Sequence, residues 1–252
     1  MIDIHTHILP GMDDGSVSIE ESIGMARMAA ESGVSILVAT PHCNLTGVFD
    51  NYYSSNFENR LITLRKVLQK EQIPIEILPG MEVYGTEEVP NLLRKGRLIT
   101  LNHSRYLLME FSFREDLLLT EYLIHEVKGL GYLPIIAHPE RYPYVQKHPG
   151  IVYDWIQQGC LIQLNKGSIL GSFGTRTRNT AIALLECNLV SVIASDAHSS
   201  ARRTTDLTMI REFIENNFSK EYAEILLAEN PRRVIENTDL IVPYNTCQAR
   251  YI

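Results

Sequence analysis

Short apolar runs recur along the chain, and each hands over to a histidine or a carboxylate. Ile2-Asp3-Ile4 leads into His5-Thr6-His7, and Ile36-Leu37-Val38-Ala39-Thr40-Pro41 into His42. Ile77-Leu78-Pro79-Gly80-Met81 precedes Glu82, and Leu107-Leu108-Met109 precedes Glu110. Ile135-Ile136-Ala137 ends at His138, and Val192-Ile193-Ala194-Ser195 at Asp196-Ala197-His198. Runs of this length, rich in branched residues, predict buried strands. Helical stretches lie between them. Ser18 and Glu21 form a capping box ahead of Ile19, Ile23, Ala26 and Ala30, which recur at helical spacing until Gly33 ends the helix. Leu61, Leu64, Val67 and Leu68 mark a second helix over about 56–71. Further helices are expected over 116–129, 151–158, 175–187, about 203–217 and about 219–228. Strands are expected at 34–40, 75–79, 106–111, 133–137, 161–165 and 189–194, with 84–104 irregular.

Strands alternating with helices from end to end are the signature of parallel βαβ units. The expected fold is α/β, a distorted (β/α)7 barrel; a doubly wound open sheet is the alternative. With 252 residues and neither linker nor repeat, the chain suits one domain over 1–252, of which about 242–252 form a C-terminal tail. In β/α barrels the chemistry gathers at the carboxyl ends of the strands, which is where the histidines and carboxylates fall.

Composition narrows the function. A net charge of −7 argues against a nucleic-acid partner. No run reaches the roughly 20 apolar residues that span a bilayer, and no signal peptide is evident, so a cytoplasmic protein without membrane insertion is expected. The four cysteines show no C-x-x-C spacing. Cysteine-dependent phosphatases carry an arginine six residues after the nucleophile. Here Phe49, Lys166 and Ile193 stand at that distance from Cys43, Cys160 and Cys187, and the chain ends before such a position after Cys247. There is no Walker loop and no Rossmann glycine fingerprint.

The strand-end residues instead suit divalent cations. His5 and His7, at i and i+2 on a strand, point to one side and can reach one ion. Asp13-Asp14-Gly15 alone would be a turn; so close behind the histidine pair it offers a ligand, with Asp14 the preferred member. His42, Glu82, Glu110 and His138 follow, and Glu82 is the favoured bridge between ions. Asp196 and His198 close the set at i and i+2. Nine donors with one bridging carboxylate can serve three cations, which would lower the pKa of bound water and neutralise phosphoryl oxygens. Arg141, and Arg202 or Arg203, offer planar forks suited to phosphate. Glu140-Arg141 on its own reads as a surface ion pair, and His103, His125 and His148 lie away from strand ends. Phe49, Tyr52 and Tyr53 in the 43–56 loop could flank an aromatic ring of a substrate.

The order His-x-His, Asp-Asp-Gly, Pro-His, Glu, Glu, His-Pro-Glu-Arg, Ser-Asp-Ala-His resembles the polymerase and histidinol phosphatase (PHP) superfamily. The string from His5 to Gly15, His138-Pro-Glu-Arg-Tyr142, Asn165-Lys-Gly-Ser168 and Glu229-Asn-Pro231 are closer still to one group. They resemble the manganese-dependent tyrosine-protein phosphatases of bacterial capsule and exopolysaccharide operons, over residues 1 to about 240. The resemblance implies a trinuclear site loaded with Mn2+, with Fe, Co, Zn or Mg as alternatives. His5, His7, Glu82 and Asp196 would hold one ion, Glu82, Glu110 and His138 a second, and Asp14, His42 and His198 a third. Arg141 and Arg203, with Asp196, would be the catalytic groups, Arg203 being preferred to Arg202 for binding phosphate. The implied substrate is a tyrosine-phosphorylated bacterial kinase, and oligomerisation stays open. A small-molecule phosphatase such as histidinol-phosphate phosphatase is the nearest rival. An amidohydrolase would need a bridging lysine, for which Lys166 is a poor fit.

Overall fold

The computed structural model describes residues 1–114 and 116–241. In chain order its elements are β1 (Ile2–Thr6), α1 (Ile19–Glu31), β2 (Ile36–Ala39), β3 (His42–Cys43), α2 (Ser55–Lys70), β4 (Glu76–Pro79), β5 (Glu82–Tyr84) and α3 (Val89–Arg94). Then come β6 (Tyr106–Glu110), α4 (Leu117–Gly129), β7 (Leu133–Ala137), α5 (Pro143–Lys147), α6 (Gly150–Gln157), β8 (Leu161–Asn165), α7 (Lys166–Ile169) and α8 (Thr175–Glu186). β9 (Val192–Ala194), α9 (Thr208–Asn217), α10 (Lys220–Glu224) and α11 (Asn230–Ile235) complete the order. The tail expected over about 242–252 lies outside the described residues.

The expected alternation of strand and helix is present, and every strand pairing is parallel. The ladders do not form one closed barrel, however. They divide into a three-stranded sheet, β1-β2-β4, and a six-stranded sheet, β3-β5-β6-β7-β8-β9. Two interruptions cause the division. Between β2 and β3 stands Pro41, which has no N–H to give a ladder. Between β4 and β5 stands Gly80, where a Cβ would come within 2.8 Å of Val38 and 3.0 Å of Leu101. Pairing resumes three residues further on in the same register, His42 against Glu82 after Ala39 against Pro79. At the other margin, Asp196 N–H donates to His5 O and His7 N–H to Ala197 O, both at 2.9 Å, so β1 meets the end of β9.

One apolar cluster collects residues from both sheets: Ile4 of β1, Val38 of β2, Leu78 of β4, Leu108 of β6, Ile135 of β7 and Val192 of β9. Leu101, Val234 and Ile235 join it. The larger cluster lies between the strands and the surrounding helices. α1 begins at Ser18, whose hydroxyl accepts the Glu21 N–H, and Gly33 follows its end with φ +83°. Its buried face is Ser22, Met25, Ala26 and Ala29, a step round from the stripe the apolar spacing suggests.

Other departures are local. The segment 84–104 contains α3, whose first turn holds Pro90. The helix expected from about 203 starts at Thr208, because the chain before it is held by Thr205, whose hydroxyl donates to Met25 O at 2.6 Å. The last expected helix runs on through a π-helical turn, Ile225–Glu229, into α11. Asn230 donates to Ser191 O at 2.8 Å, which ties that helix to the strand carrying Asp196. Among the described residues no helix is long and apolar enough to cross a membrane.

Candidate active site

The turn after β1 decides what the two aspartates do. Gly15 packs directly against the strand exit: a Cβ there would lie 2.3 Å from both Cβ and O of His7. Ser16 N–H donates to His7 O at 2.9 Å and closes the turn. Asp13 is thereby placed behind His7. Its Oδ2 accepts His7 Nδ1 at 2.7 Å and the His42 N–H at 2.8 Å, and its Oδ1 accepts the Gly15 N–H at 2.9 Å. Asp14 stands on the open side, with Oδ1 3.5 Å from His42 Nε2 and 3.4 Å from His198 Nε2. One carboxylate orients a histidine and the other joins the cluster.

The nine candidate donors singled out in the sequence, eight near strand ends and Asp14 in the turn after β1, come together. His5 Nε2 and His7 Nε2 lie 3.3 Å apart. Glu82 Oε1 is 3.3 Å from His5 Nε2 and 3.0 Å from His138 Nε2, while its Oε2 is 3.4 Å from His7 Nε2 and 2.9 Å from His42 Nδ1. Glu110 stands 3.7 Å from both His42 and His138. Asp196 Oδ1 lies 3.5 Å from His5 and 3.4 Å from His7. Three donor groups have all their ligand atoms within 4.8 Å of one another: His5, His7 and Asp196; His42, Glu82 and Glu110; and His7, Asp14, His42 and His198.

These donors fit divalent cations. Glu82 Oε2 and His198 Nε2 are buried and, although charged groups stand near both, neither makes a well-directed hydrogen bond, which a buried polar atom rarely tolerates. Mixed imidazole and carboxylate sets suit Mn, Fe, Co and Zn. The charges confirm how tightly the groups are coupled. Burial opposes charge on His7, but Asp13 outweighs it and holds the imidazole pKa well above its ordinary value. Burial likewise opposes ionisation of Glu82 and Asp196. His5 and His42 nevertheless draw Glu82 well below the carboxylate range, and His5, His7 and Arg203 do the same for Asp196. Glu110 is pushed up to about 7 by burial and by the charge of Glu82. His138 is lowered to about 4 by burial, so its ring is neutral, the form that ligates a metal. The imidazole of His198, 3.4 Å away, lowers Asp14 to about 2.

Two arginines close one side. Arg141 Nη1 donates to Asp196 Oδ2 at 3.3 Å, and Arg203 pairs with the same oxygen through Nη2 while its Nε donates to Asp196 O at 3.2 Å. Phe173 lies under both guanidinium groups, 4.6 Å from Arg141 and 5.9 Å from Arg203, and Phe113 covers Arg141 at 5.4 Å. Arg202 is exposed, its backbone N–H and O engaged by Ser199, and it makes no contact with the cluster. Three of the site residues have left-handed backbones: His138 at φ +36°, Asp196 at φ +50° and Arg203 at φ +49°. Such conformations cost on the order of 1–3 kcal/mol each in a residue other than glycine.

Several neighbours differ from the sequence expectation. Glu140 is not a surface partner of Arg141: it is fully buried, accepts the Asn165 N–H at 3.0 Å, and burial pushes its carboxyl up to about 7. It ties the turn carrying Arg141 to the end of β8. Asp13, Gln163 and Asn165 are further supporting groups; Asp13 is signalled only by its pairing with Asp14, Asn165 only by the Asn165-Lys-Gly-Ser168 motif, and Gln163 by nothing local. Of the loop aromatics, Phe49 stacks on His42 at 5.2 Å, whereas Tyr52 lies under Arg97 and Tyr53 bonds Glu58. His103, His125 and His148 are exposed and outside the cluster. Lys166 donates to Thr204 and Asp206 O, away from the donors. Burial pushes the Cys43 and Cys160 thiols up to about 12, which removes them as thiolate nucleophiles near neutral pH.

A parallel α/β fold with a histidine–carboxylate cluster and paired arginines at its strand ends defines a metal-centre protein of hydrolase type. Residues 1–236 match the family model for capsular polysaccharide synthesis, CpsB/CapC, and the chain belongs to that family. It is 38% identical over 237 residues to the tyrosine-protein phosphatase YwqE of Bacillus subtilis, covering 94% of this chain and 92% of that one. To the tyrosine-protein phosphatase CpsB of Streptococcus agalactiae it is 32% identical over 242 residues, covering 94% and 99%. A crystal structure from work on YwqE of Bacillus subtilis and CpsB of Streptococcus pneumoniae, described as unique metal-dependent tyrosine phosphatases, superposes with TM-score 0.90. Its sequence identity is 36%, over 96% of both chains.

Proposed function

We propose that this protein is a metal-dependent protein-tyrosine phosphatase that removes phosphate from a bacterial tyrosine kinase in the cytoplasm and so regulates capsular or exopolysaccharide synthesis. The observation that carries the reading is the convergence of Arg141 and Arg203 on the rim of the nine-donor cluster. A metal centre alone serves many hydrolyses; a guanidinium pair beside it selects a phosphoryl group. The names and metal dependence of the relatives point the same way.

In this reading His5, His7, Glu82 and Asp196 hold one cation, Glu82, Glu110 and His138 a second, and Asp14, His42 and His198 a third. The ions are Mn2+, with Fe, Co, Zn or Mg as substitutes. Bound cations supply Lewis-acid neutralisation of the phosphoryl oxygens and lower the pKa of water to near neutrality. The chain supplies the rest. Each arginine carries five N–H donors and uses only one or two on Asp196, so both keep donors for the phosphoryl oxygens. Phe173 and Phe113 hold the guanidinium planes in place. Asp196 divides its work, with Oδ1 towards the histidines and Oδ2 towards the arginines. A phenolate is a tolerable leaving group near neutral pH, so this reading assigns no proton donor to the chain.

The architecture is read as one (β/α)7 domain. β2 with β3, and β4 with β5, count as two kinked strands, and the bonds from Asp196 and His7 link the first strand to the last.

The test is phosphate release from a tyrosine-phosphorylated peptide by metal-stripped protein, with and without Mn2+, beside histidinol phosphate. Mn-restored turnover that favours the peptide is expected. Preference for histidinol phosphate would replace the proposed substrate class, and no turnover of either would reject the phosphatase reading.

A further inference from the structure

Every other strand that reaches the site delivers a histidine or a carboxylate to it; β8 delivers Gln163 and Asn165. Both are completely buried. A hydrogen-bonded row runs through them: Asp196 Oδ2 to Asn165 Nδ2 at 2.5 Å, Asn165 Oδ1 to Gln163 Nε2 at 2.8 Å, and Gln163 Oε1 to His5 Nδ1 at 2.8 Å. The direction of each bond follows from one end. An ionised carboxylate only accepts, so Asn165 must present its NH2 to Asp196 and its oxygen to Gln163. Gln163 then presents its NH2 to Asn165 and its oxygen to His5, which leaves His5 Nδ1 as a donor. The lone pair of His5 is therefore confined to Nε2, the atom that faces His7, Glu82 and Asp196.

We infer that Gln163 and Asn165 are positioning residues for the metal centre, fixing the ligating tautomer of His5 and reserving Asp196 Oδ1 for the cation side. The inference rests on the metal-centre reading proposed above. Asn165 has a second attachment. Its backbone N–H is bound by Glu140 beside Arg141, so the same residue braces the arginine turn and the carboxylate that the arginine touches. When the arginines engage a phosphoryl group, the Asn165 amide keeps Asp196 Oδ2 paired and its orientation unchanged.

The test compares Gln163→Met, Gln163→Glu and Asn165→Leu with wild type. Circular dichroism checks the fold, calorimetry of the metal-stripped proteins measures Mn2+ binding, and kcat and KM are read on a phosphotyrosine peptide at saturating Mn2+. Partners of metal ligands are typically worth 10–100-fold in metal affinity, so Gln163→Met and Asn165→Leu should each weaken Mn2+ binding by about 10-fold or more. Gln163→Glu keeps an acceptor opposite His5 Nδ1 but loses the donor to Asn165 Oδ1, so it should recover only part of the affinity that Gln163→Met loses. Asn165→Leu should also lower kcat at saturating Mn2+ with little change in KM. Folded Gln163→Met or Asn165→Leu with wild-type affinity would overturn the inference, as would Gln163→Glu binding as weakly as Gln163→Met. If Gln163→Met does not fold, Asn165→Leu and Gln163→Glu decide the question alone. A wild type that binds no Mn2+ overturns both readings. A wild type that binds Mn2+ with this variant pattern but spares the peptide overturns only the phosphatase reading.

Discussion

The floor of the site and its rim are built differently. On the floor, the side chains of His5, His7 and Glu82 are 0% exposed and those of His138 and Asp196 1% and 2%. His5, His7 and Asp196 there are held from behind by a partner drawn from elsewhere in the chain. On the rim, Asp14 is 55% exposed, Arg203 31% and Arg141 20%; the two guanidinium groups reach the floor through Asp196 and otherwise lie against aromatic faces. The floor sets where cations go and tolerates no loss of support. The rim meets the substrate and has room to move. Changes on the two sides should therefore separate into metal effects and substrate effects.

Arg203→Ala should give the largest change. Removing one donor aimed at developing charge typically costs 10²–10³ in rate, so kcat/KM for a phosphotyrosine peptide should fall about 100-fold or more while Mn2+ affinity stays close to wild type. Steady-state kinetics beside Mn2+ calorimetry checks it, and an equal loss in both would erase the division. Asp13→Ala should come next and in the opposite sense. It removes the acceptor for His7 Nδ1, the His42 N–H and the Gly15 N–H, and should weaken Mn2+ binding by about 10- to 100-fold. Activity lost at low Mn2+ should then be partly recovered at high Mn2+, which a substrate-binding defect would not show. Phe49→Ala, which removes the ring stacked on His42, should raise KM for the peptide by about 2- to 10-fold. An equal rise for a small phosphate ester lacking an aromatic ring would mean that Phe49 acts on His42 and not on the substrate. Arg202→Ala should be the smallest, within about twofold in both kcat and KM, as for an exposed side chain away from the site.

The same division governs what the chain reveals before folding. The donors other than Asp14 are legible because they stand at or just beyond the end of an apolar run, a signal confined to a handful of neighbouring residues. Their supports are not. Gln163 meets His5 across 158 residues, and nothing near Gln163 in the chain indicates that its amide has a histidine to orient. Glu140 looked like a surface charge because an acidic residue beside an arginine usually is one; only the packing of its turn on Asn165 buries it. Asp14 and Asp13 were adjacent candidates, and the closeness of Gly15 to His7 decides their roles. The helices with clear caps, such as α1, matched closely. The division into two sheets escaped the sequence because Pro41 and Gly80 mark bends without saying how the bent segments pair again. α3 was hidden by its short length and by Pro90.

The left-handed backbones at His138, Asp196 and Arg203 bear on any attempt to make this enzyme hardier. Choosing residues to match backbone preference would favour glycine at each of the three, which alone escapes the left-handed penalty of on the order of 1–3 kcal/mol. The most attractive targets for thermostabilisation are thus a histidine, an aspartate and an arginine of the centre itself. A library ranked by melting temperature would enrich for hard-wearing, inert proteins, and selection for heat resistance has to be run with turnover as a second gate.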